Sequence, residues 1–356
     1  MHILKRLYLK DFRNYKSECF EFSPQLNAII GKNAQGKTNL LEAIYLLMTG
    51  RSFRTSNLSD LPYFGCSSFY LEAHFEKAGI EQTLKMTYHE KERIIILNQT
   101  PIPTLSSLFG IILGVIITPE DRALIVGPPL QRRQFLNLHI ARTNPFYLHH
   151  FRRYEKALKQ RNTLLRQKRS HSIEVWEEQM AISGAYLIQE RVREAEELEK
   201  KSHEIQKLLS FDKEELTLKY KSSLSSKEIF QEMLAKTRNK DLLLGYTSIG
   251  PHKEDLSIVL DGKEARSFAS EGQKRGIITA LRMAEWQLLK DKTEDFPIFC
   301  IDDMGIFLDK KREEILLSLL PSLGQVFLTS PRSLPELNPS PHLLTISQGR
   351  IFRQTP

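Results

Sequence analysis

The chain has 356 residues, above the roughly 250–300 at which a single hydrophobic core stops growing, so two domains are expected. Hydrophobic residues make up 41% of the chain, which excludes a disordered protein. The 51 Lys and Arg residues outnumber the 43 Asp and Glu residues. The resulting net charge of +8 favours an anionic partner, nucleic acid before a membrane surface.

Residues 1–120 predict short strands and turns with one helix. Strands are expected at Ile3–Leu9, Leu26–Ile30, Phe69–Phe75, Thr83–Tyr88, Arg93–Leu97 and Ile111–Thr118. Three of them, from Phe69 to Leu97, form successive strands of an antiparallel sheet in this interpretation. The run IILGVIIT is almost entirely apolar, which is typical of a strand that is buried on both faces.

The composition changes between residues 145 and 209, where glycine and proline are rare and apolar residues recur every three or four positions. The break RSHS, Arg169–Ser172, separates two predicted helices, which we interpret as an antiparallel helical arm. Further elements follow the arm: strands at Glu215–Tyr220, Leu256–Leu260, Pro297–Ile301 and Gln325–Thr329, and helices at Glu271–Leu289 and Lys310–Leu320. The strand Leu256–Leu260 is expected to end in a turn at Asp261-Gly262. The predicted organisation is a discontinuous α/β body, 1–120 and 240–356, with an inserted helical lobe, 121–239.

The segment Phe146–Ser170 of the arm is strongly basic. It contains one acid, Glu155, and eight cations: Arg152, Arg153, Lys156, Lys159, Arg161, Arg166, Lys168 and Arg169. A charged run is usually a solvated helix face, but such faces interleave both signs, as REAEELEKK does in the second helix. The imbalance favours contact with a nucleic-acid backbone. The candidate DNA-binding residues are Arg152, Arg153, Lys156 and Lys159.

Nothing in the chain predicts a secreted or membrane protein. The three cysteines are far apart and form no C-x-x-C pair, which argues against a disulfide framework and a zinc cluster. No apolar run approaches the roughly 18 residues of a membrane span, and the charged N-terminus lacks a signal-peptide core. We expect a cytoplasmic protein with no membrane partner.

The stretch GKNAQGKT matches the phosphate-binding loop pattern G-x-x-x-x-G-K-[ST]. The apolar stretch NAII precedes it and the helical stretch NLLEAIYLLM follows it, as a P-loop requires. The alternative is a glycine-rich turn without a ligand. The candidate ATP-binding residues are Gly31, Lys32, Asn33, Ala34, Gln35, Gly36, Lys37 and Thr38. Lys37 is expected to reach the β- and γ-phosphates, and Thr38 is expected to ligate Mg²⁺.

The stretch PIFCIDD predicts a buried strand that ends in two acids, Asp302 and Asp303. Strands that end in acidic turn residues are common, but with a P-loop upstream this is where a Mg²⁺-linked carboxylate belongs. Asp302 is the candidate metal ligand. Asp303 is the candidate catalytic residue that orients or deprotonates the attacking water, and Lys37 acts with it.

The stretch SFASEGQKRG predicts the beginning of a helix. Ser270 and Gln273 form the capping-box pattern S-x-x-Q. Gly272 is unfavourable in a first helical turn by propensity, and it makes more sense if a ligand approaches the backbone closely.

A P-loop, an S-x-G-Q helix start and a strand ending in two acids, in this order, resemble the ABC-type ATPase heads of the SMC class. The stretches LKRLYLKDFRNY, GRSFRT, TPED, QRRQFLN, RNTLLR, VWEEQ and GPHKEDL resemble the bacterial RecF family along nearly the whole chain. The resemblance implies an α/β P-loop ABC-type head, a mixed sheet with helices, that carries an inserted helical arm. It also implies an ATP-dependent homodimer in which Ser270, Gly272 and Gln273 meet the γ-phosphate held by the partner subunit, and it adds Asp309 to the nucleotide site.

The same resemblance implies a role in recombinational repair, replication and the SOS response. The family binds single- and double-stranded DNA and gap junctions, and it helps RecO and RecR load RecA. Because Asp303 stands where such heads usually have glutamate, the expected ATPase is slow and acts as a dimerisation switch. Two alternatives stay open at this point: the ATPase subunit of an ABC transporter, and an SMC-like chromosome-structuring protein.

Overall fold

The protein is described from a computed structural model, which covers residues 1–169, 171–222, 224, 226–304, 309–332, 334 and 340–355. The chain divides into two compact units. The first unit comprises Met1–Arg122, Ile205–Lys213 and Ser270–Pro356, and the second comprises Ala123–Glu204 and Glu214–Ala269. In the described part of the chain, no helix combines the length and apolarity needed to cross a membrane.

The strands are β1 His2–Phe12, β2 Tyr15–Glu21, β3 Leu26–Ile30, β4 Phe69–Lys77, β5 Ile80–His89, β6 Glu92–Leu97, β7 Thr100–Pro101, β8 Gly114–Ile117, β9 Leu216–Lys221, β10 Asp255–Leu260, β11 Lys263–Glu264, β12 Ile298–Ile301, β13 Val326–Ser330, β14 His342–Ser347 and β15 Arg350–Thr355. The helices are α1 Lys37–Thr49, α2 Arg122–Val126, α3 Pro129–Ala141, α4 Pro145–Arg166, α5 Ile173–Ser210, α6 Lys227–Leu244, α7 Ala265–Phe268, α8 Glu271–Thr293 and α9 Lys310–Leu319.

The first unit contains two six-stranded sheets. One is antiparallel, in the order β2-β1-β4-β5-β6-β7, and it includes the three successive strands predicted between Phe69 and Leu97. The other has the order β15-β14-β3-β13-β12-β8, and its strands are parallel except for the β14–β15 pair. Helix α1 buries Leu40, Leu41, Ile44 and Leu47 in the hydrophobic core together with residues of both sheets. This core fixes the P-loop at the carboxyl end of β3.

Strand β8 is shorter than the expected Ile111–Thr118. Only Gly114–Ile117 is extended, and all four residues are buried, although β8 is the edge strand beside β12. The amide of Ile111 instead donates to the carbonyl of Leu108 at 3.2 Å, so the chain is still turning there. Ile112 and Leu113 are buried as well. An apolar run indicates that a segment is buried, but burial alone does not distinguish a strand from a buried turn.

The second unit combines helices with a three-stranded antiparallel sheet, β11-β10-β9. Strands β10 and β11 are joined by the predicted Asp261-Gly262 turn, in which both residues have positive φ, 51° and 76°. The predicted break between two long helices is confirmed, because α4 ends at Arg166 and α5 begins at Ile173. Helix α3 was not predicted. Its helical period begins at Pro129, before the change in composition that drew attention to the arm.

One of the eight cations in the basic segment is not at the surface. Arg161 is fully buried, and its guanidinium donates to Glu177 at 2.9 and 3.1 Å and to Asp241 at 2.7 Å. Both carboxylates are also buried. The number of exposed cations in the basic segment is therefore smaller than the sequence suggests, because Arg161 is buried where it joins α4 to α5 and α6.

Candidate nucleotide site and cationic helix face

The tip of the P-loop between β3 and α1 is exposed to solvent, and its base is buried. Lys32, Asn33 and Ala34 are exposed, whereas Gly36 and Lys37 are buried. Ala34 and Gly36 have φ of 63° and 123°, the left-handed geometry that turns successive amides toward one point. No side chain caps the amides at the start of α1, and its first turn contains no acid. An anion therefore fits at this helix N-terminus.

Neighbouring strands brace the loop. The hydroxyl of Tyr15 donates to the carbonyl of Gly36 at 2.9 Å. A β-carbon at Gly31 would lie 2.3 Å from the carbonyl oxygen of Ile346 on β14, so only glycine fits there. The Gln35 side chain accepts the amide of Gln348 at 2.7 Å, beyond the same strand. The hairpin of β14 and β15 therefore sets the position of the loop.

The Lys37 ammonium lies within the loop. Its Nζ donates to the carbonyls of Gly31 at 2.7 Å and Lys32 at 3.0 Å. Burial lowers the pKa of Lys37, and the nearby carboxylates of Asp303 and Asp302 oppose that effect. The charge is thus directed at the place where the loop amides converge, as phosphate binding requires.

Asp302 follows β12 and accepts two hydroxyl hydrogen bonds on Oδ1. Thr38 donates at 3.0 Å from the start of α1, and Thr329 donates at 2.8 Å from β13. Burial raises the pKa of Asp302 to about 6; these two hydrogen bonds lower it, and the charges of Glu120 and Asp303 raise it further. A buried carboxylate with this balance of charges gains from a cation beside it.

Asp303 has an unusual backbone. Its φ is 59°, and its amide donates to Thr329 Oγ1 at 2.7 Å. Among the described residues, its buried Oδ1 has no hydrogen-bond partner. Left-handed backbone at a non-glycine residue costs energy and is concentrated at functional sites. The carboxylate is thus held in the site with an unused acceptor, which suits a group that receives a hydrogen bond from substrate or water.

Thr329 was not among the predicted site residues. Its single hydroxyl donates to Asp302 and accepts from the amide of Asp303, so it sets the relative position of the two acids. The stretch VFLTS offers one clue, a hydroxyl at the end of an apolar strand. The pairing of β13 with β12 is what makes that clue useful.

The donor set suits a hard divalent cation. Thr38 and Asp302 provide oxygens, which Mg²⁺ prefers, and Mg²⁺ in such sites completes its shell with phosphate oxygens and water. Thr38 and Asp302 therefore fit a metal that is shared with a bound phosphate. In the described ranges, no group of three or more His, Cys, Asp or Glu residues could hold a metal ion.

The capping box at Ser270 is confirmed. The amide of Gln273 donates to Ser270 Oγ at 3.2 Å, and the Gln273 side chain accepts the Ser270 amide at 2.9 Å. The backbone at Gly272 is open, since a β-carbon there would meet only Ser270 Oγ, at 4.0 Å. No contact among the described residues requires this glycine.

The acid inside this segment, Glu271, is neutralised by two cations. Arg122 donates two hydrogen bonds to its carboxylate, at 2.9 and 3.0 Å, and Lys274 donates a third at 3.0 Å. The hydrogen bond from Arg122 is the main reason that the pKa of Glu271 falls to about 2. The first turn of α8 thus presents no uncompensated negative charge.

The predicted nucleotide-site residues fall into separate groups. The P-loop, Asp302 and Asp303 form one cluster. The hydrogen bonds recorded for Ser270 and Gln273 stay within the start of α8, and none joins them to the P-loop among the described residues. Asp309 caps α9 by accepting the amide of Arg312 at 3.1 Å. The preceding segment, 305–308, lies outside the described residues.

In the second unit, one face of α4 is cationic. Arg152, Lys156, Lys159 and Arg166 recur at steps that place them on a single side of the helix, and all four are exposed. The opposite side buries Tyr147, Tyr154, Ala157, Arg161 and Leu165. Arg153 points elsewhere and donates to Gln179. Three of the four candidate DNA-binding residues thus share one face, and Arg166 joins them.

Comparison with known proteins identifies the family of this chain. The RecF/RecN/SMC N terminal domain family model matches residues 3–334. The chain is 48% identical over 353 residues to the DNA replication and repair protein RecF of Protochlamydia amoebophila, covering 96% of this chain and 98% of that protein. It is 41% identical over 363 residues to the protein of the same description from Chlamydia abortus, covering 99% and 98%.

Solved structures give the same result. The recombination mediator protein RecF-ATP in the RecFOR pathway superposes with a TM-score of 0.91 and 30% identity, covering 100% of this chain and 98% of that one. An Smc head domain from Pyrococcus furiosus has a TM-score of 0.60 at 17% identity, covering 99% and 95%, and shows the fold alone. The fold is a P-loop ABC-type ATPase head of the SMC class, which confirms the predicted class. The chain belongs to the RecF family of DNA replication and repair proteins.

Proposed function

We propose that this chain binds ATP with Mg²⁺ at the P-loop and hydrolyses it slowly. The observation that carries this proposal is the cluster in which Thr38 and Asp302 share a hydrogen bond beside Lys37. The loop amides and Lys37 hold the phosphates, and Thr38 and Asp302 hold the metal. Asp303 accepts a hydrogen bond from the attacking water through its unused oxygen. The metal's chemistry is to neutralise charge on the transferred phosphoryl group.

ATP in this proposal joins two copies of the chain. Ser270, Gln273 and Asp309 make no hydrogen bond with the P-loop of their own subunit among the described residues, and the open backbone at Gly272 can approach a phosphate closely. A second copy supplies the missing contacts in trans. Hydrolysis then removes the γ-phosphate that links the subunits, which makes ATP a dimerisation switch.

The partner of the dimer is DNA. The exposed cations of α4 give the chain a basic face, and neutralising phosphates with such side chains releases counterions. Arg152, Lys156 and Lys159 are the primary contacts, and Arg153 stands at the edge of this face. In the cytoplasm the protein then serves recombinational repair, replication and the SOS response, binding DNA gap junctions and acting with RecO and RecR to load RecA.

The test measures self-association by light scattering, with and without ATP and Mg²⁺. Wild type is expected to dimerise only with both. Lys37→Ala is expected to remain monomeric because it loses nucleotide, and Ser270→Arg because a bulky cation blocks the trans contact. Ser318→Arg adds the same side chain at another exposed serine of the first unit and is expected to dimerise normally. Dimerisation of Ser270→Arg at the wild-type concentration would refute the trans site.

A DNA arm completes the test. Anisotropy of labelled DNA is expected to show tighter binding with ATP and weaker binding for Lys156→Ala. Loss of RecA loading by Lys37→Ala on gapped DNA, in the presence of RecO and RecR, is the expected result for a loader. Wild-type protein that binds no DNA with or without ATP would overturn this part of the proposal.

A further inference from the structure

A groove of about 330 Å³ lies in the second unit between α4 and the turn that follows α6. Its walls include Leu158, Lys159, Asn162 and Arg166 from α4, and Tyr246 from the turn. The exposed fraction of Tyr246 is 45%, although it is a large aromatic residue. None of the sequence motifs or family relationships described above assigns a role to this groove.

Hydrogen bonds and a buried ion pair join the two walls of the groove. Helix α6 ends at Leu244, and the next residue, Gly245, has a φ of 74° and lies beside the stem of Arg166. Asn162 Oδ1 then accepts both the amide and the hydroxyl of Thr247, each at 2.8 Å, which ties the turn to α4. Below the groove, the buried pair of Arg161 and Asp241 joins the same two helices. The groove is therefore preformed, so a ligand need not order it.

The groove carries unused positive charge. Lys159 and Arg166 in the groove, and Lys253 beside it, have no carboxylate partner among the described residues. In that part of the chain, the guanidinium of Arg166 donates only to neutral oxygens of Asn162 and Thr163, at 3.2 and 3.4 Å. The Lys253 ammonium lies 4.9 Å from the centre of the Tyr246 ring. The groove contains one acid, Glu155. Its preferred ligand is anionic and has a flat face for the ring.

We propose that this groove binds one unstacked nucleotide of a single DNA strand. The base stacks on Tyr246, and Lys159 and Arg166 bind its flanking phosphates. Asn162 offers its Nδ2, which has no acceptor among the described residues, to the base edge or sugar. An aromatic platform beside a cationic track is the recurrent design of single-strand sites. A duplex cannot use the groove, because its bases are stacked on one another.

The position of the groove supports this assignment. Arg152, Lys156, Lys159 and Arg166 form one exposed row along α4, and the last two border the groove. A sugar–phosphate backbone that follows the row thus reaches Tyr246. This inference rests on the proposed DNA binding and adds a site that distinguishes single strands from duplexes.

The test compares a labelled 20-nucleotide oligothymidylate with a 20-base-pair duplex, by anisotropy at fixed salt, on the full chain. Tyr246→Ala is expected to weaken single-strand binding about 5- to 150-fold, the range for loss of one base–aromatic stack. Its duplex affinity is expected to stay within about twofold of wild type. Tyr246→Phe keeps the ring and is expected to bind like wild type. Lys156→Ala, in the row but outside the groove, is expected to weaken both ligands.

The contrary outcomes separate this inference from the proposed function. If wild type binds DNA and Tyr246→Ala keeps full single-strand affinity, the groove assignment alone is refuted. The same conclusion follows if Tyr246→Ala loses equal affinity for both ligands, or if wild type binds only the duplex. A protein that binds neither ligand refutes DNA binding and the groove together. An acidic peptide that binds the groove while Tyr246→Ala leaves single-strand affinity intact also overturns the assignment.

Discussion

Arg161→Met is expected to destabilise the second unit strongly. The change keeps the aliphatic stem but removes a buried guanidinium from two buried carboxylates. Breaking such a pair typically costs about 3–5 kcal/mol, because the remaining charge is left without compensation. Glu177 keeps Arg238, at 2.6 Å, and Asp241 keeps the amide of Ser248, at 3.1 Å. Because both carboxylates retain hydrogen-bond partners, the expected loss is near the lower limit, about 3 kcal/mol.

The measurement is urea unfolding followed by far-UV circular dichroism, with hydrogen exchange of α4 to assign the transition to the second unit. Lys156→Met on the exposed side of the same helix is the matched control and is expected to change stability by less than about 0.5 kcal/mol. Adding Asp241→Asn to Arg161→Met removes one of the orphaned charges. The double variant is expected to recover part of the loss, since that charge accounts for much of it.

Only one of the two variants, Lys156→Met, is expected to change the salt dependence of DNA binding. Lys156→Met is expected to reduce the salt dependence of binding by about one unit of slope, and Arg161→Met to leave it unchanged at a temperature where the variant is folded. A Tm for Arg161→Met equal to that of wild type would refute the buried-pair argument. A slope that falls by one in that variant would refute its structural role just as clearly.

Three further predictions concern the first unit. Burial raises the pKa of Asp302 to about 6. Between the ordinary pKa of an aspartate and pH 6, the folded protein therefore binds more protons than the unfolded chain, and its stability falls as pH rises. Asp302→Asn is therefore expected to stabilise the protein above pH 6 by up to about 3 kcal/mol in chelator, measured by urea unfolding, and to lose Mg²⁺-dependent ATP hydrolysis. Gly31→Ala places a β-carbon 2.3 Å from the Ile346 carbonyl, so displacement of the loop is expected to weaken fluorescent-ATP binding at least tenfold and to lower the Tm. Glu271→Gln frees Arg122 near the proposed trans phosphate and is expected to tighten ATP-dependent dimerisation in light scattering.

A specific result would contradict each of these three predictions. A pH profile of stability for Asp302→Asn that parallels wild type between pH 4 and 6 would mean that its carboxylate is not buried as described. Unchanged nucleotide affinity in Gly31→Ala would show that the β14 contact does not set the loop. Loss of dimerisation in Glu271→Gln would instead indicate that the acid is needed to position Arg122.

Much of the nucleotide site could be predicted because its patterns are local. The P-loop is eight consecutive residues between a strand and a helix, and the Ser270 capping box spans three peptide units. The Asp261-Gly262 turn likewise depends on two adjacent residues that accept positive φ. In each case the residues that define the feature are also the residues that touch, so spacing along the chain is enough.

Contacts between distant segments required the folded chain. Thr329 meets Asp302 and Arg122 meets Glu271 because parallel strands and a distant helix bring them together, not because of any spacing. Strands β14 and β15 were missed, and their role under the P-loop depends on the parallel pairing of β14 with β3.

Arg161 shows the physical reason most directly. Nothing in its side chain distinguishes it from Arg153 or Arg166, one or two turns away, and all three occur in one basic run. Side-chain chemistry and local spacing establish that a helix forms and which ligand chemistry it offers. Whether a cation contacts solvent or a buried carboxylate depends on which distant helix packs on that face, and burial then changes its contribution from almost none to several kcal/mol.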